Sequence, residues 1–274
     1  MCILFEGFNS DQDQTARGNK LAFRPCIDLR GGKVVQIVGG TLRDDGADTV
    51  TNFISDRDSE DFAALYRESG LLGGHVIMLG LGNEDAAVRA LQAYPGGMHV
   101  GGGITPANAR NYLSAGASHV IVTSYLFENG DLSSVRLQAM LDAVGAAKLV
   151  IDLSCRKGQD GLYRVATNRW QTVTDTVIDA DLIHRLEGSC SEFLVHAADV
   201  EGQCHGIDED VVRLLGQLVT IPTTYAGGAD SLESIGRVDE LSHGKVDLTI
   251  GSALDIFGGT GVRYEDAAAL GRKK

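Results

Sequence analysis

The sequence is poor in proline, with four residues in 274, and contains a single tryptophan. No apolar run approaches the roughly 20 residues that a membrane-spanning helix requires, which argues against an integral membrane protein. Positive charge is also short: 24 lysines and arginines face 37 acidic residues, a net charge of −13. A chain with that balance offers no broad basic surface, so neither nucleic acid nor an anionic membrane is expected as a partner. The five cysteines (Cys2, Cys26, Cys155, Cys190 and Cys204) are odd in number and form no C-x-x-C pair. That argues against a disulfide framework or a zinc ribbon and reads as the reduced thiols of an intracellular protein. The first twenty residues have no basic segment leading into a long apolar stretch, so they are not a secretory signal. They read as a short tail, residues 1–20, ahead of one domain over 21–274. The cytoplasm is the expected compartment, with a plastid stroma as the alternative for a photosynthetic source.

Glycine is in excess: 35 residues, about 13 % of the chain, against a usual level of about 7 %. Without proline beside it, this is not linker composition. It points to tight turns or to close approach of backbone to a ligand.

Short β-branched runs alternate with helical patterns. The runs are Phe23–Leu29, His75–Gly80, Met98–Gly101, His119–Thr123, Lys148–Leu153, Glu192–His196, Val219–Tyr225 and Val246–Gly251. They lack alternation of apolar and polar residues, as strands buried on both faces of a parallel sheet do. The helical stretches are Asp58–Ser69, Glu84–Ala93, Thr105–Ala115, Leu132–Val144, Thr176–Leu186, Asp208–Leu218, Ser231–Leu241 and a last segment around Tyr264–Leu270. Thr105 is placed to cap the third helix with Pro106 in its first turn. Asp230 or Ser231 would cap the seventh, with Glu233 completing a capping box. Eight strands alternating with eight helices match an α/β protein of the (β/α)₈, or TIM, barrel type. The rival is an open doubly wound sheet, but the G-x-G-x-x-G turn common after its first strand is missing.

The chain also repeats itself. CIDL at 26–29 recurs as VIDL at 150–153, so Asp28 aligns with Asp152 at an offset of 124. Gly102–Gly103 align with Gly227–Gly228 at 125, and Ser124 aligns with Ser252 at 128. Three matches at nearly one spacing imply two half-barrels of four βα units each.

Each glycine cluster lies where a strand gives way to a helix, the face of such a barrel that carries active sites. Backbone N–H groups freed there, together with a helix N-terminus, suit a phosphate. Gly102, Gly103, Thr123 and Ser124 would form one site and Gly227, Gly228, Gly251 and Ser252 its symmetric partner. A single Gly-Gly pair reads first as a tight turn; the duplication reverses that and favours a ligand with a phosphate at each end. Asp28 and Asp152, at the ends of the first and fifth strands, would face each other across the mouth. Two such carboxyl groups can divide acid and base work. The alternatives are an aspartate bonding its own loop, or a metal ligand, which lacks support because no His/Asp/Glu cluster at ligand spacing accompanies them. Trp170 follows the polar stretch 156–169 after the fifth strand, where it is either a lid over a substrate or an ordinary loop anchor. His196, ending the sixth strand, either touches substrate or is a satisfied buried histidine. Arg30 and Lys33 follow the first strand and either meet an anion or stay solvated.

Taken together, CIDLRGGKVVQIVGGTL, VGGGITPANA, VIVTSYLF, VIDLSCRKG, EFLVHAADVEGQCHGID, TYAGGADSLESI and LTIGSALDIFGG resemble the phosphoribosylformimino-5-aminoimidazole carboxamide ribotide isomerases of histidine biosynthesis, in their eukaryotic form. The resemblance runs from about Phe23 to Gly259. It implies a two-fold repeated (β/α)₈ barrel that converts an N-linked aminoaldose to an aminoketose by an Amadori rearrangement. It implies a substrate with a phosphate on each of two ribose-derived arms, no metal and no organic cofactor. By the same resemblance Asp28 is the general base and Asp152 the general acid. The cyclase subunit of imidazole glycerol phosphate synthase is similar too, but that family has a lysine eight residues after its first aspartate, where this chain has Gln36. A non-catalytic phosphosugar-binding barrel is the reading of a different class; it leaves two facing carboxylates without a purpose. Two positions depart from the bacterial isomerases. The second strand ends MLGLG without the usual aspartate, and His196 stands in place of a threonine. A monomer is expected.

Overall fold

The computed structural model of the protein describes residues 21–38, 41 and 50–270; the expected tail, Cys2 included, lies outside the described residues. The first strand, β1, has two pieces, Phe23–Arg24 and Cys26–Arg30, on either side of Pro25. It is followed by β2 (Gly74–Met78), β3 (Met98–Gly101), β4 (His119–Val122), β5 (Leu149–Asp152), β6 (Glu192–His196), β7 (Thr223–Ala226) and β8 (Val246–Thr249). Every neighbouring pair in this series is parallel. The first piece of β1 pairs with β8, Phe23 opposite Leu248, and the second with β2, Ile27 opposite Val76. The eight strands therefore close into a (β/α)₈ barrel, and Pro25 sits where β1 changes partner. Proline has no N–H to give to the ladder, but its carbonyl still accepts from His75 N at 2.9 Å.

The unbroken apolar runs follow from this closure. β3 and β5 to β8 are buried at every position, one face toward the barrel interior and the other under helices. The helices are α1 (Ser59–Glu68), α2 (Glu84–Ala93), α3 (Ala109–Ser114), α4 (Ser134–Val144), α5 (Ala180–Glu187), α6 (Glu209–Leu218), α7 (Glu233–Ser242) and α8 (Tyr264–Leu270). They bury one stripe each; α6, for example, sets Val211, Val212 and Leu215 against the sheet. Asp208 caps it, accepting from Asp210 N and Val211 N.

Inside the barrel the floor is sealed. Arg24 Nη2 lies 2.8 Å from Asp247 Oδ2 and 3.7 Å from Glu192 Oε2, and Thr224 Oγ1 donates to Glu192 Oε1. Above this ionic layer Ile121, Val150 and Leu194 form an apolar layer against Ile77. These two layers fill the interior below the end where Asp28 and Asp152 line a cavity.

Several elements differ from expectation. α3 starts at Ala109 rather than at Thr105. Asn108 explains this: its Oδ1 accepts from Thr105 N and its Nδ2 donates to Gly103 O, holding residues 105–108 as a turn. The capping box at α7 does not form. Asp230 Oδ1 accepts from the Ser234 hydroxyl, no side chain caps the helix, and Ser231 contributes only its carbonyl. Residues 219–222 precede β7 as a loop. Thr176 and Val177 belong to a strand, Thr172–Val177, and α5 begins only after its cap Asp179. That strand, with Cys155–Lys157 and Tyr163–Thr167, forms a three-stranded antiparallel sheet in the β5–α5 connection. A second antiparallel addition, Lys33–Ile37 and Thr51–Ile54, extends β1.

Candidate active site

Both glycine turns use positive φ at two successive residues. Gly102 and Gly103 have φ of +92° and +71°; Gly227 and Gly228 have +128° and +73°. Each turn folds over the end of the strand before it. A Cβ on Gly102 would lie 2.1 Å from Met78 O of β2, and one on Gly227 would lie 3.0 Å from Ala197 O just after β6. The sequence repeat is thus accompanied by a repeat of positive φ, four strands apart. A Cβ on Gly103 would have nothing within 4 Å, so Gly103→Ala meets only the left-handed φ, a cost of about 1 kcal/mol. Gly102→Ala meets that strain and a backbone carbonyl, and is expected to cost about 3 kcal/mol. Thermal unfolding of the two variants checks the order; equal losses would contradict it.

The two halves are unequal in room. Gly102, Gly103, Thr123 and Ser124 line a cavity of about 1070 Å³ that also receives Asp28, Asp152, Trp170 and His196. Gly227, Gly228, Gly251 and Ser252 line a narrow extension of about 20 Å³, space for about one water. Asp28, His196 and Glu201 border both. The β6–α6 loop makes the difference. Gly206 N donates to Gly228 O, and Gly202 packs on Ile37 O, with Asn52 Nδ2 donating to Gly202 O.

Two of the three hydroxyls expected as phosphate donors, those of Thr123 and Ser252, already donate elsewhere. Thr123 Oγ1 donates to Asp152 Oδ2 at 2.8 Å, so it serves the carboxylate. Ser124 Oγ accepts from Asn168 N at 2.9 Å, which leaves its own proton to give. Ser252 Oγ donates to Gln36 Oε1 and accepts from Asn52 Nδ2. Gln36 is buried beneath Gly251, its Oε1 2.4 Å from where a Cβ would stand. Arg30 lines the large cavity. Among the described residues, no group of three or more His, Cys, Asp or Glu is arranged to hold a metal ion.

The two aspartates have opposite surroundings. Asp28 projects from the middle of its strand piece, opposite Ile77 of β2. Burial, aided by the Glu201 carboxylate, pushes its pKa from 3.8 up to about 7, and His196 only partly offsets this. Asp152 ends β5. Burial pushes it up as well, but the His196 imidazole and the hydroxyls of Ser154 and Thr123 outweigh burial and hold it below the usual carboxylate range. His196 is pushed down by burial and raised more strongly by Asp152, Glu201 and Asp28, reaching about 8. The mouth therefore sets two carboxyl groups raised by burial, Asp28 and Glu201, beside a lowered Asp152 carboxylate and a raised His196 imidazole.

Trp170 lies over this group. Its ring centroid is 5.7 Å from that of His196, and it packs beside Val35, Ile37 and Leu79 on the far side of the mouth. The expected loop is thus an ordered sheet spanning the opening. Its tip is bent by three successive left-handed residues, Asn168, Arg169 and Trp170, with φ of +51°, +53° and +64°. Strain of that kind collects at functional sites.

Three further residues belong to the site without any signal in the sequence that singles them out. Glu201 faces Asp28 and His196, and burial raises its pKa. His75 stacks edgewise on His196 at 5.7 Å. Ser154 donates to Asp152 through both N and Oγ. Glu201 stands within the stretch 192–208 that carries part of the resemblance, but a lone glutamate past a strand end has no pattern of its own.

Known proteins resemble this arrangement in sequence. The chain matches the histidine biosynthesis protein family over residues 23–260. A Neurospora crassa protein named 1-(5-phosphoribosyl)-5-((5-phosphoribosylamino)methylideneamino) imidazole-4-carboxamide isomerase is 54 % identical over 254 residues, covering 92 % of this chain and 99 % of the relative. A Medicago truncatula protein of the same name, designated chloroplastic, is 50 % identical over 253 residues, 90 % of this chain and 80 % of the relative. A Saccharomyces cerevisiae protein of that name is 48 % identical over 258 residues, 92 % and 98 % of the two chains.

Proposed function

This chain belongs to the histidine biosynthesis protein family, and from that premise we propose that its two aspartates drive an Amadori rearrangement of a bisphosphorylated aminoaldose. The protein is an isomerase of the imidazole-4-carboxamide type, acting in L-histidine biosynthesis. The observation that carries the mechanism is the placement of Asp28 and Asp152 in one cavity with pKa values driven apart. Such a separation is what divides acid from base work between two like groups.

The substrate spans the mouth with one phosphate at Gly102, Gly103 and Ser124 and the other at Gly227, Gly228 and Gly251. The second position needs the β6–α6 loop to move outward, since the space there is about 20 Å³. Protonation of the ribose ring oxygen on the Asp152 side opens the ring to a protonated imine. Asp28 removes the C2 proton, and a pKa of about 7 suits a base working near neutral pH. The imine takes up the electron pair, giving an enolamine. Proton return to C1 and loss of the 2-hydroxyl proton complete the ketose. The substrate's own imine is the electron sink, so the route calls on no cofactor.

We read the protein as a monomer in the cytoplasm. Cys26, Cys155, Cys190 and Cys204 are free, which supports a reducing compartment. Among the described residues no helix is long and apolar enough to cross a membrane. The plant relative's chloroplastic designation keeps the stroma as the alternative for a plastid-bearing source.

Conversion of the aminoaldose, followed spectroscopically and coupled to the downstream synthase, tests this reading. Turnover to the aminoketose is expected. Formation of imidazole glycerol phosphate from that product and ammonium would instead identify a cyclase. Binding by calorimetry without conversion would leave a phosphosugar-binding barrel.

A further inference from the structure

His196 ends β6 in the barrel mouth with 8 % of its surface exposed. The titratable groups facing it come from four directions: Asp152 on β5, Asp28 on β1, His75 on β2 and Glu201 on the β6–α6 loop. Trp170 covers its remaining side. Its Nδ1 is buried without a hydrogen-bond partner, and Asp152 Oδ1 lies 3.6 Å away, just beyond hydrogen-bonding reach.

Asp152 is badly equipped to be an acid alone. Oδ1 accepts from Ser154 N and Ser154 Oγ, both at 2.8 Å. Oδ2 accepts from Thr123 Oγ1 at 2.8 Å and shares the Ser154 hydroxyl at 3.0 Å. A carboxyl group that receives donors on both oxygens has little capacity left for a proton of its own. His75 offers no proton either, since burial and the neighbouring His196 push it down to about 3. Among the described residues, His196 Nδ1 is a buried nitrogen without a hydrogen-bond partner, and it lies 3.6 Å from the Asp152 carboxylate.

We propose that His196 carries the proton that Asp152 delivers, so that imidazolium and carboxylate act as a single acid. The inference rests on the isomerase reading above and assigns the source of its first proton. As the ring oxygen gains basicity, the proton leaves His196 Nδ1 for Asp152, and Asp152 passes it to the ring oxygen as the C1–O bond breaks. His196 is then neutral and Asp152 again a carboxylate. Asp28 takes the C2 proton. When C1 is protonated and the 2-hydroxyl gives up its proton, the site regains the number it began with. No net proton is consumed, as an isomerisation requires.

The proposal fixes the shape of the pH profile. Activity needs Asp28 ionised and His196 charged. Turnover should rise through about pH 7 and fall through about pH 8, a narrow bell. His196→Asn keeps a donor near the position of Nδ1 but carries no titrating proton. It should lose about 10²-fold in kcat with little change in KM, and the descending limb near pH 8 should vanish. A loss confined to KM would mean that His196 merely contacts substrate and would overturn the proposal. So would an unchanged upper limb. Nitrogen NMR of the wild-type imidazole guards against a variant that fails to fold. A charged His196 at pH 7, titrating near 8, is expected, and a neutral ring at pH 7 would be fatal. Asp152→Asn separates the two readings: if it stays active the acid role of Asp152 fails, whatever His196 does.

Discussion

Asp28→Asn should abolish turnover and at the same time make the protein more stable at pH 8. The kinetic half follows from the base role. Asparagine keeps the shape of the side chain but cannot take the C2 proton, and losses of at least 10³-fold in kcat are expected. The stability half follows from the environment. An ordinary carboxyl group at 3.8 is held at about 7 by burial and by Glu201. Between those values the folded protein binds a proton that the unfolded chain does not, so stability falls as pH rises from about 4 to 7 and stays low above it. A shift of about three units corresponds to at most about 4 kcal/mol, because one unit is about 1.4 kcal/mol. Since Asp28 is only partly buried, a gain of about 2 kcal/mol at pH 8 is the expected result for the amide, shrinking toward nothing at pH 4. Urea unfolding at the two values measures it. A variant less stable than wild type at pH 8 would mean that Asp28 is held by bonds rather than strained by its neighbours. Wild-type turnover would remove it from the mechanism.

That trade of stability against activity explains which parts of the site were legible in the sequence. Asp28 and Asp152 could be paired because an aspartate between isoleucine and leucine repeats at a fixed offset in runs that the barrel buries on both faces. The glycine turns could be read because positive φ and close backbone approach leave only glycine, as at Gly102 over Met78 O. The difference between the two aspartates was not legible. It arises from Ser154 and Thr123 on one side and Glu201 on the other, and Glu201 reaches Asp28 only because its loop is seated on Ile37 and Asn52. Those contacts link residues some 150 positions apart, which no local pattern records. For the same reason the sequence does not show that the Thr123 and Ser252 hydroxyls donate to Asp152 and Gln36 across the barrel mouth. Residues 156–177 misled for another reason. Turn residues and charges interrupt short antiparallel strands there, and Thr176–Leu186 joined the last of them to the helix behind it.

Asp152→Asn is the counterpart, with the same kinetic outcome and the opposite stability outcome. Turnover should again fall at least 10³-fold, since the amide cannot relay a proton to the ring oxygen. Stability should also fall, by about 2–4 kcal/mol at pH 6. Ser154 N, Ser154 Oγ and Thr123 Oγ1 all donate to this carboxylate, so an NH₂ on either side opposes a donor with a donor. His196 loses its counterion as well. The signs follow from the shifts. Asp152 is depressed in the fold, so its contribution is present above about 4 and lost as pH falls through its lowered value. His196 is raised from 6.5 to about 8, so its share is complete below 6.5 and lost as pH rises through 8. The gap between wild type and variant is therefore widest from about pH 4 to 6.5 and narrows toward pH 9. Two aspartates that the repeat makes equivalent would then respond to one substitution with equal loss of turnover and opposite changes in stability. Equal stability changes would mean that both carboxylates sit in the same field, and the division of acid from base would have to come from the substrate's position instead.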